Sequence, residues 1–498
     1  MNKTIFQCFE WYLPADGSLY KNLISTSSAL AANGFTHVWM PPASKGFTGR
    51  NDVGYGVYDL YDLGEFRQKG SIGTKYGTKT QYLKAIQSLQ KKKIQVIADV
   101  VLNHRMGADQ TEDIMARNMD ESNRYHAISA YHPVQVWTRY TFEGRNGKYS
   151  SFQWNWTHFT GTDWDELSKK HGILEFEGKN WNPNVSKENG NFDYVMGSDI
   201  DFSNPEVIHH LYQWGKWYTK TTGVNGFRLD AVKSIDSQFF PQWLNTMHRY
   251  GNHPNLAIGE YWTGNIWELK EYLSHSGYCM KLMDVPLHYH LMQAAGSNGT
   301  YDIRNLYAYT LSQTDPEFSC SFVDNHDTQP GQALESWVMD WFKPQAYASI
   351  LLNRCKLPCV FYGDYYGIPH NNKQPVWLLR EMIWIRANLL EDNIVDLYDD
   401  DLQKACWMAY STAHPVLVLF TIADWKEKTV HEPSFAGMTF EDAGNPGNKV
   451  TFNSSGDGRL TCPPGGLSVY ILEKDAAAMK KALKTKGGLR SLLSRKKS

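Results

Sequence analysis

The chain of 498 residues is long enough for about three domains, and its charges nearly balance, because 50 Lys and Arg stand against 52 Asp and Glu. Its net charge of −2 argues against a polyanionic partner such as nucleic acid. Aromatic residues make up 14% of the chain, and flat amphipathic rings suit neutral, ring-shaped ligands such as sugars.

The N-terminus and the cysteines predict a cytoplasmic protein. The first twelve residues contain no long apolar run and no small-residue cleavage site, so we expect no secretory signal. The seven cysteines are odd in number and lie mostly in apolar segments, as expected for free thiols in a reducing compartment. The longest mainly apolar stretches, such as residues 415–423, are far shorter than the roughly 18 residues that a membrane span requires.

Short apolar runs alternate with amphipathic segments along most of the chain. The eight strand-like runs are residues 4–12, 37–41, 95–103, 226–232, 256–262, 279–286, 320–324 and 359–362. The clearest helix-like segments are residues 80–92, 207–221, 238–250, 303–311, 342–354 and 376–390. Eight repeats of a strand followed by a helix favour an α/β fold with a closed (β/α)8 barrel, also called a TIM barrel.

Two segments depart from this alternation and set the predicted domain boundaries. Residues 104–206 separate the third and fourth strands and predict an inserted domain, so the barrel comprises residues 1–103 and 207–390. Residues 391–474 contain short strands with turn signals and predict an antiparallel C-terminal β domain. Residues 475–498 form a basic tail with a net charge of +7, which is either a solvated, partly helical extension or a contact for an acidic surface.

Four predicted strands end in polar or charged residues where an ordinary barrel needs only apolar residues and a turn. The segments are DVVLNH (99–104), GFRLDAVK (226–233), GEYW (259–262) and FVDNHD (322–327). Because active sites of β/α barrels lie at the carboxyl ends of the strands, these four segments predict the active site.

Three carboxylates in these segments suit hydrolysis of a sugar linkage. Arg228 and Asp230 share one face of a strand, so the cation should lower the pKa of Asp230, as a nucleophile requires. Glu260 precedes Tyr261 and Trp262, and desolvation there should raise its pKa, as a general acid requires. Two carboxylates of this kind about 5–5.5 Å apart are the minimum for retaining glycoside hydrolysis, and Asp327 offers a third.

Each residue taken singly also has an ordinary structural interpretation. An Asp at a strand end commonly caps a helix or forms a salt bridge, His104 and His326 could be hydrogen-bonding loop residues, and Tyr55 could serve packing alone. Four such strand ends in one chain favour catalysis over these alternatives.

The four strand-end segments resemble, in the same order, the four signature regions of the α-amylase family of glycoside hydrolases, family thirteen. With the opening QCFEWYLPADG, the segment VGYGVYDLYDLGEFRQKGSIGTKYGTK and the later DNHDTQPGQALESWVMDWFKP, the chain looks closest to the liquefying-type bacterial members and their cytoplasmic relatives. The similarity runs from about residue 4 to residue 472.

The resemblance implies a role for each matching residue. Asp230 would be the nucleophile, Glu260 the general acid and base, and Asp327 the stabiliser of the transition state. The remaining matches concern substrate binding: His104, Arg228 and His326 would hold the sugar at the cleavage position, Tyr55 would be its stacking platform, and Lys233 and Trp262 would lie on the leaving-group side.

The resemblance also implies that the inserted domain and the barrel hold a structural calcium ion (Ca²⁺), which prefers six to eight oxygen ligands. The matching positions are Asn103, Asp193, Asp199 and the backbone carbonyl of Ser234, with Asp201 as a further candidate. Without the resemblance, the Asp-rich stretch would be interpreted as solvated turns. Liquefying-type enzymes add a second cation cluster, but Thr160, Asn182 and Ser203 replace three of its Asp ligands. We therefore expect one calcium ion and more modest heat resistance.

The activity implied is that of an endo-acting, retaining α-amylase that cleaves α-1,4-glucosidic bonds in starch, glycogen or maltodextrins. An amylase that forms one preferred maltooligosaccharide, or a transglycosylase, remains an alternative within the family. A non-catalytic glucan-binding protein is the alternative from another class, and the intact trio of Asp230, Glu260 and Asp327 argues against it. A monomer is the default expectation.

Overall fold

The computed structural model describes residues 2–251 and 256–484. Eight parallel strands close into a barrel in which each strand pairs with its neighbours in chain order and the first pairs with the last. In chain order they are β1 Ile5–Gln7, β2 His37–Met40, β3 Gln95–Val100, β4 Gly226–Leu229, β5 Leu256–Gly259, β6 Lys281–Met283, β7 Ser319–Phe322 and β8 Pro358–Phe361. The predicted (β/α)8 barrel is confirmed.

Helices surround the barrel and are bounded by recognisable local signals. They are α1 Leu19–Asn33, α2 Lys79–Gln90, α3 Pro205–Thr222, α4 Phe239–Gly251, α5 Ile266–His275, α6 Val285–Gly296, α7 Leu311–Thr314, α8 Lys343–Leu351, α9 Tyr362–Tyr366, α10 Leu379–Asn388 and α11 Glu473–Lys484. Helix α3 illustrates the signals: the Asn204 side chain caps its first turn, Pro205 follows, and Gly223 ends it in the left-handed conformation.

Two predicted elements are wrong in detail. Residues 303–311 form a short 3-10 helix, Ile303–Asn305, and a turn before α7, because Tyr309 takes a positive φ of 56° that interrupts any continuous helix. The run 279–286 contains only the three-residue strand β6, because the Asp284 side chain caps α6 directly afterwards.

Residues 104–206 form a six-stranded antiparallel sheet, which we call the insertion sheet. Its strands are His104–Arg105, Gln110–Asn118, His132–Arg139, Phe159–Asp165, Lys170–Phe176 and Ser198–Ile200. The first and last of these strands pair, so that Asp199 lies opposite His104, four residues beyond the end of β3. The insertion sheet is therefore joined to the barrel at the edge where active-site residues are expected.

Antiparallel strands also follow the barrel, as the sequence predicts. Six of them form the C-terminal sheet: Ile394–Asp396, Lys404–Ala409, Val416–Thr421, Thr439–Asp442, Lys449–Thr451 and Leu467–Leu472. A separate pair, Lys426–His431 and Asp457–Cys462, lies beside them. The basic tail is described as far as Lys484, which ends α11, and Lys486, Arg490, Arg495, Lys496 and Lys497 lie outside the described residues.

All seven cysteines are free thiols, and six of them are buried. Within residues 2–251 and 256–484, no helix combines the length and the apolar character needed to cross a bilayer.

Candidate active site

The carboxyl ends of the barrel strands bring the predicted catalytic residues together. Asp230 follows β4 directly, Glu260 follows β5 directly, and Asp327 lies five residues beyond β7. Between Asp230 and the short 3-10 helix Val232–Ser234, Ala231 adopts a left-handed φ of 46°. Its backbone N–H donates to Glu260 Oε2 at 3.2 Å, so this unusual turn connects two of the three acidic residues.

The guanidinium group of Arg228 is the centre of the site. Its Nη1 lies 2.6 Å from Asp230 Oδ1 and 2.9 Å from Asp99 Oδ1, and its Nη2 lies 2.7 Å from Glu260 Oε2. The arginine is fully buried. Because its planar fork fixes three carboxyl groups at once, Arg228 orients the site in addition to supplying positive charge.

Burial is the largest effect on Asp230 and Glu260 and raises the pKa of both, while the positive charge of Arg228 opposes it in each. The interaction between the two carboxyl groups has a smaller effect, which lowers the pKa of Asp230 and raises the pKa of Glu260. The pKa of Glu260 is raised overall, as predicted. The expectation of a lowered pKa for Asp230 is wrong in sign: burial raises it overall, and the opposing effect of Arg228 is smaller.

Asp327 approaches the same centre from the loop after β7. Its backbone N–H donates to Asn325 Oδ1 at 2.8 Å, and its carboxylate lies 3.2 Å from His326 Nε2. Burial, followed by the charge of Glu260, raises the pKa of Asp327 well above its ordinary value. Its side chain keeps 23% of its surface exposed, more than Asp230 or Glu260, so it is the carboxylate most open to a ligand.

Stacked rings form one wall of the site. Tyr55 lies parallel to His326, with ring centroids 5.0 Å apart, and Trp11 continues the stack at 6.2 Å from Tyr55. His104 approaches the Tyr55 backbone carbonyl at 2.8 Å through Nε2, and burial lowers the pKa of His104 to about 4. The wall is therefore flat, aromatic and neutral, which suits the face of a sugar ring.

Lys233 and Trp262 lie together beyond Glu260. Lys233 Nζ donates to the Trp262 carbonyl at 3.1 Å and forms a 2.6 Å ion pair with Glu188 from the insertion. The Trp262 indole donates to the Tyr289 hydroxyl at 3.0 Å. Contact between these residues connects the barrel with residues 104–206 on this side of the site.

Asp99 and Gln7 belong to the site although the sequence analysis assigned them no role. The buried Asp99 accepts hydrogen bonds from the Tyr55 hydroxyl at 2.8 Å and the Trp39 indole at 2.9 Å, in addition to Arg228. Gln7 Nε2 lies 2.9 Å from His326 Nδ1. Asp99 could have been found from its place inside the otherwise apolar strand β3, because a buried carboxylate needs a partner.

A second acidic cluster lies where the insertion sheet meets the barrel. Asp193 and Asp199 are buried and interact, and burial followed by their mutual repulsion raises the pKa of Asp199 well above its ordinary value. Asn103 Nδ2 lies 3.3 Å from Asp199 Oδ1, and the Thr160 hydroxyl donates to the other oxygen. Two buried carboxylates with the side chains of Asn103 and Thr160 beside them form an oxygen-rich set that suits a hard divalent cation.

Asp201 is engaged differently from Asp193 and Asp199. Its carboxylate forms a 2.7 Å ion pair with Lys179 and accepts the Ser203 backbone N–H at 2.9 Å. Asn182 Nδ2 donates to Asp236 at 3.1 Å, and Ser234 lies in the turn after Asp230. Among the described residues, no three His, Cys, Asp or Glu side chains form a group that could hold a metal ion, so any ion here would depend on amide and carbonyl oxygens as well.

A parallel barrel with carboxyl groups clustered on one arginine and an aromatic wall at its strand ends is typical of a glycoside hydrolase, and the comparisons assign the chain to this class. The family model for the alpha amylase catalytic domain matches residues 28–392, and the model for an alpha-amylase C-terminal domain matches residues 416–471. This chain belongs to the α-amylase family.

Individual relatives agree with this assignment. An α-amylase of Geobacillus stearothermophilus is 44% identical over 499 aligned positions, covering 95% of this chain and 87% of the relative. The cytoplasmic α-amylase of Escherichia coli (strain K12) is 37% identical over 491 positions, covering 95% and 99%. The crystal structure of an Anoxybacillus α-amylase covers 95% of this chain and 97% of its own, with a TM-score of 0.63 at 16% identity, a likeness of fold.

Proposed function

We propose that this protein is an endo-acting, retaining α-amylase that cleaves α-1,4-glucosidic bonds in starch, glycogen or maltodextrins. The observation that carries the proposal is that the buried guanidinium of Arg228 holds both carboxyl groups, with Asp230 Oδ1 at 2.6 Å and Glu260 Oε2 at 2.7 Å. Two carboxyl groups bound to one guanidinium lie close together, and a short separation of about 5–5.5 Å is typical of retaining enzymes.

In the first step, Asp230 attacks the anomeric carbon of the sugar while Glu260 protonates the departing glycosidic oxygen. The bond to the leaving chain breaks, and a covalent glycosyl ester forms on Asp230. Glu260 suits this task because its raised pKa keeps it protonated. Asp327 would accept hydrogen bonds from sugar hydroxyls as the ring distorts, and Tyr55 would support the ring's face.

In the second step, the ionised Glu260 removes a proton from water, and the resulting hydroxide attacks the anomeric carbon. The ester bond breaks, Asp230 leaves as a carboxylate, and Glu260 is protonated again for the next cycle. Arg228 contacts both carboxyl groups and would stabilise the negative charge that each carries in turn. His104, His326, Lys233 and Trp262 would position the sugars on either side of the cleaved bond.

We further propose that one calcium ion binds Asn103, Asp193, Asp199 and the backbone carbonyl of Ser234. The supporting observation is the buried, mutually repelling pair Asp193 and Asp199, since a divalent cation would offset that repulsion. Asp201 is a weaker candidate ligand because Lys179 already neutralises it. Bound calcium supplies structural cross-linking between barrel and insertion and takes no part in bond cleavage.

The proposal also covers the cellular location, oligomeric state and domain boundaries of the enzyme. We propose a cytoplasmic monomer with barrel residues 1–103 and 207–390, an inserted domain of residues 104–206, a C-terminal domain of residues 391–474 and a tail of residues 475–498. An oligosaccharide-forming amylase or a transglycosylase stays open as an alternative, because both would use the same catalytic trio.

The test is to incubate the protein with soluble starch and with maltoheptaose and to resolve the products over time, with Asp230→Asn in parallel. We expect random internal cleavage of starch, products that retain the α configuration, and loss of activity in the variant. Activity that survives Asp230→Asn would refute the mechanism. Products longer than maltoheptaose would favour transglycosylation.

A further inference from the structure

Arg105 carries a buried guanidinium group whose two terminal nitrogens have no hydrogen-bond partner in the described part of the chain. The residue is 1% exposed, and neither Nη1 nor Nη2 has a partner among the described residues. The similarly buried Arg386 differs, because its Nη groups donate to the carbonyls of Leu351 and Cys355 at 2.7 and 2.9 Å. A buried charge without a counter-charge strongly destabilises a fold, so Arg105 calls for a partner that is not part of the chain.

The surroundings of Arg105 are aromatic and belong to both parts of the protein. Its guanidinium carbon lies 5.0 Å from the ring centroid of Trp154 in the insertion. The neutral groups that interact with it electrostatically are the hydroxyls of Tyr140, also in the insertion, and of Tyr61, from the loop after β2. The Arg105 backbone pairs with Ser198 in the insertion sheet, next to the pairing of His104 with Asp199.

Positive charge exceeds negative charge around this guanidinium. Asp59 is the carboxylate that acts on Arg105, but it is already bound to Arg145 Nε at 2.8 Å and to Gln68 at 2.9 Å. Burial first, and then the positive charges of Arg105 and Arg145, hold the pKa of the neighbouring His210 well below its ordinary value. A water molecule could accept hydrogen bonds here but would leave the excess charge in place, whereas an anion supplies both an acceptor and a counter-charge.

We propose that the Arg105 guanidinium binds a small monovalent anion, such as chloride, between the barrel and the insertion sheet. The aromatic surroundings favour a compact, weakly hydrated ion over phosphate or a carboxylate ligand, which need several polar donors. The bound anion stabilises the pairing of two strands of the insertion sheet, one of which contains His104 and the other Asp199. It therefore contributes to the stability of the folded enzyme and leaves the chemistry to Asp230 and Glu260.

Bromide is the probe for the test, because it mimics chloride and can be located by anomalous scattering. Crystals of the full chain are soaked in bromide, and an anomalous peak in contact with Arg105 Nη1 or Nη2 is expected. In solution, thermal unfolding is followed as bromide replaces gluconate at constant ionic strength and fixed calcium. We expect Tm to rise by about 1–5 °C for each tenfold increase in bromide above its Kd.

Two variants separate a specific site from a general salt effect. Arg105→Met removes the charge while keeping a long apolar side chain, and we expect it to lose the bromide response of Tm. Arg386→Met, the matched control, should lower Tm but keep the response. The proposal would be overturned if the bromide-soaked crystal showed water and no bromide at Arg105. It would also be overturned if bromide raised the Tm of Arg105→Met as much as that of the unmodified protein. If Arg105→Met does not fold, the crystal soak of the unmodified protein decides alone.

Discussion

At the scale of single residues, the proposed division of roles between Asp230 and Glu260 does not come from Arg228 alone. Both carboxyl groups contact the same guanidinium, at 2.6 and 2.7 Å, so the cation alone cannot make one an acid and the other a nucleophile. Burial raises the pKa of both groups. For Glu260 the negative charge of Asp230 raises the pKa further, whereas the charge of Arg228 and the Ala231 N–H that donates to Glu260 lower it.

The pH dependence of catalysis follows from this arrangement. The active form has Glu260 protonated and Asp230 ionised, so kcat/KM should fall as pH rises through the raised pKa of Glu260 and fall again in acid as Asp230 gains a proton. We expect Glu260→Gln to lose about 10²–10⁴-fold in kcat on maltoheptaose and to lose the alkaline limb of the pH profile.

A substrate that needs no acid provides the control for this prediction. Fluoride leaves the anomeric carbon of maltosyl fluoride without being protonated. Glu260→Gln should therefore keep a far larger share of the first-step rate on this substrate than on maltoheptaose. Asp230→Asn should fail on both substrates. Equal losses for Glu260→Gln on the two substrates, or an unchanged alkaline limb, would contradict the role of Glu260 as the acid.

The sequence predicts which residues meet at the strand ends better than it predicts their electrostatics. Asp230 and Glu260 directly follow strands, and Asp327 lies in the loop after a strand, so chain order and periodicity are enough to bring the three together. The net shift of the Asp230 pKa could not be predicted, because burial outweighs Arg228 and depends on every neighbour. Asp99 was missed because its partners, Trp39 and Tyr55, come from other segments of the chain.

At the scale of elements, the loop after β7 depends on a buried charge network. Lys343, at the start of α8, pairs with Asp324 at 2.9 Å and with Asp364 in α9, the short helix after β8, and all three side chains are buried. Asp324 lies three residues before Asp327 and also accepts the Thr328 hydroxyl at 2.7 Å. Helices α8 and α9 thereby fix the segment that presents His326 and Asp327.

We expect Lys343→Met to lower the free energy of unfolding by about 3–5 kcal/mol, because it leaves two buried carboxylates without their cation. Urea unfolding measures the change. The matched control is Lys373→Met, which breaks a pair with the largely exposed Asp340 and should cost less than about 1 kcal/mol. Similar losses in the two variants would show that the buried network has no special importance.

The acidic cluster at the base of the insertion makes a separate prediction. Calcium bound only to the folded state should raise Tm, by an amount equivalent to about 2.7 kcal/mol at a hundred times Kd, and a chelator should reverse it. Asp199→Asn should weaken this response strongly. Asp201→Asn should largely keep it, because Lys179 already pairs with Asp201.

Titration calorimetry of metal-free protein measures the number of ions directly. One calcium ion per chain is expected, because Thr160 and Ser203 donate hydrogen bonds to carboxylates at positions where further acidic ligands would be needed. A stoichiometry of two or more, or a Tm unaffected by chelation, would refute the single-ion site.

Elements were predicted best where periodicity and caps agree. Residues 207–221 became α3 with little change, because apolar spacing, Asn204 and Gly223 indicate the same helix. Residues 303–311 failed although their apolar spacing is helical, because Asp302 and Thr310 each cap a separate short helix and Tyr309 turns the chain between them. A turn of this kind is stabilised by distant contacts, among them the bonds from the Leu311 and Ser312 N–H groups to Asp284.

At the scale of the whole molecule, the C-terminal sheet and the barrel share one hydrophobic core. Trp407 is buried, donates its indole N–H to the Leu352 carbonyl at 2.7 Å and packs edge-on against Phe420. Phe420 in turn contacts Phe342, next to α8, with ring centroids 6.1 Å apart. The other face of the C-terminal sheet has a core cluster of its own. The contact between the barrel and the C-terminal sheet is therefore largely apolar.

We expect a chain truncated after residue 390 to lose cooperative folding, because removing the C-terminal sheet exposes the apolar surface around Phe342 and α8 to water. Thermal unfolding by circular dichroism, with light scattering for aggregation, measures this against the full chain and a control ending at residue 484. The control removes only the last fourteen residues of the chain and should unfold like the full protein. A truncated barrel that stays monomeric and unfolds cooperatively, with amylase activity intact, would show that the barrel and the insertion fold on their own and that the shared core serves only to attach the C-terminal sheet.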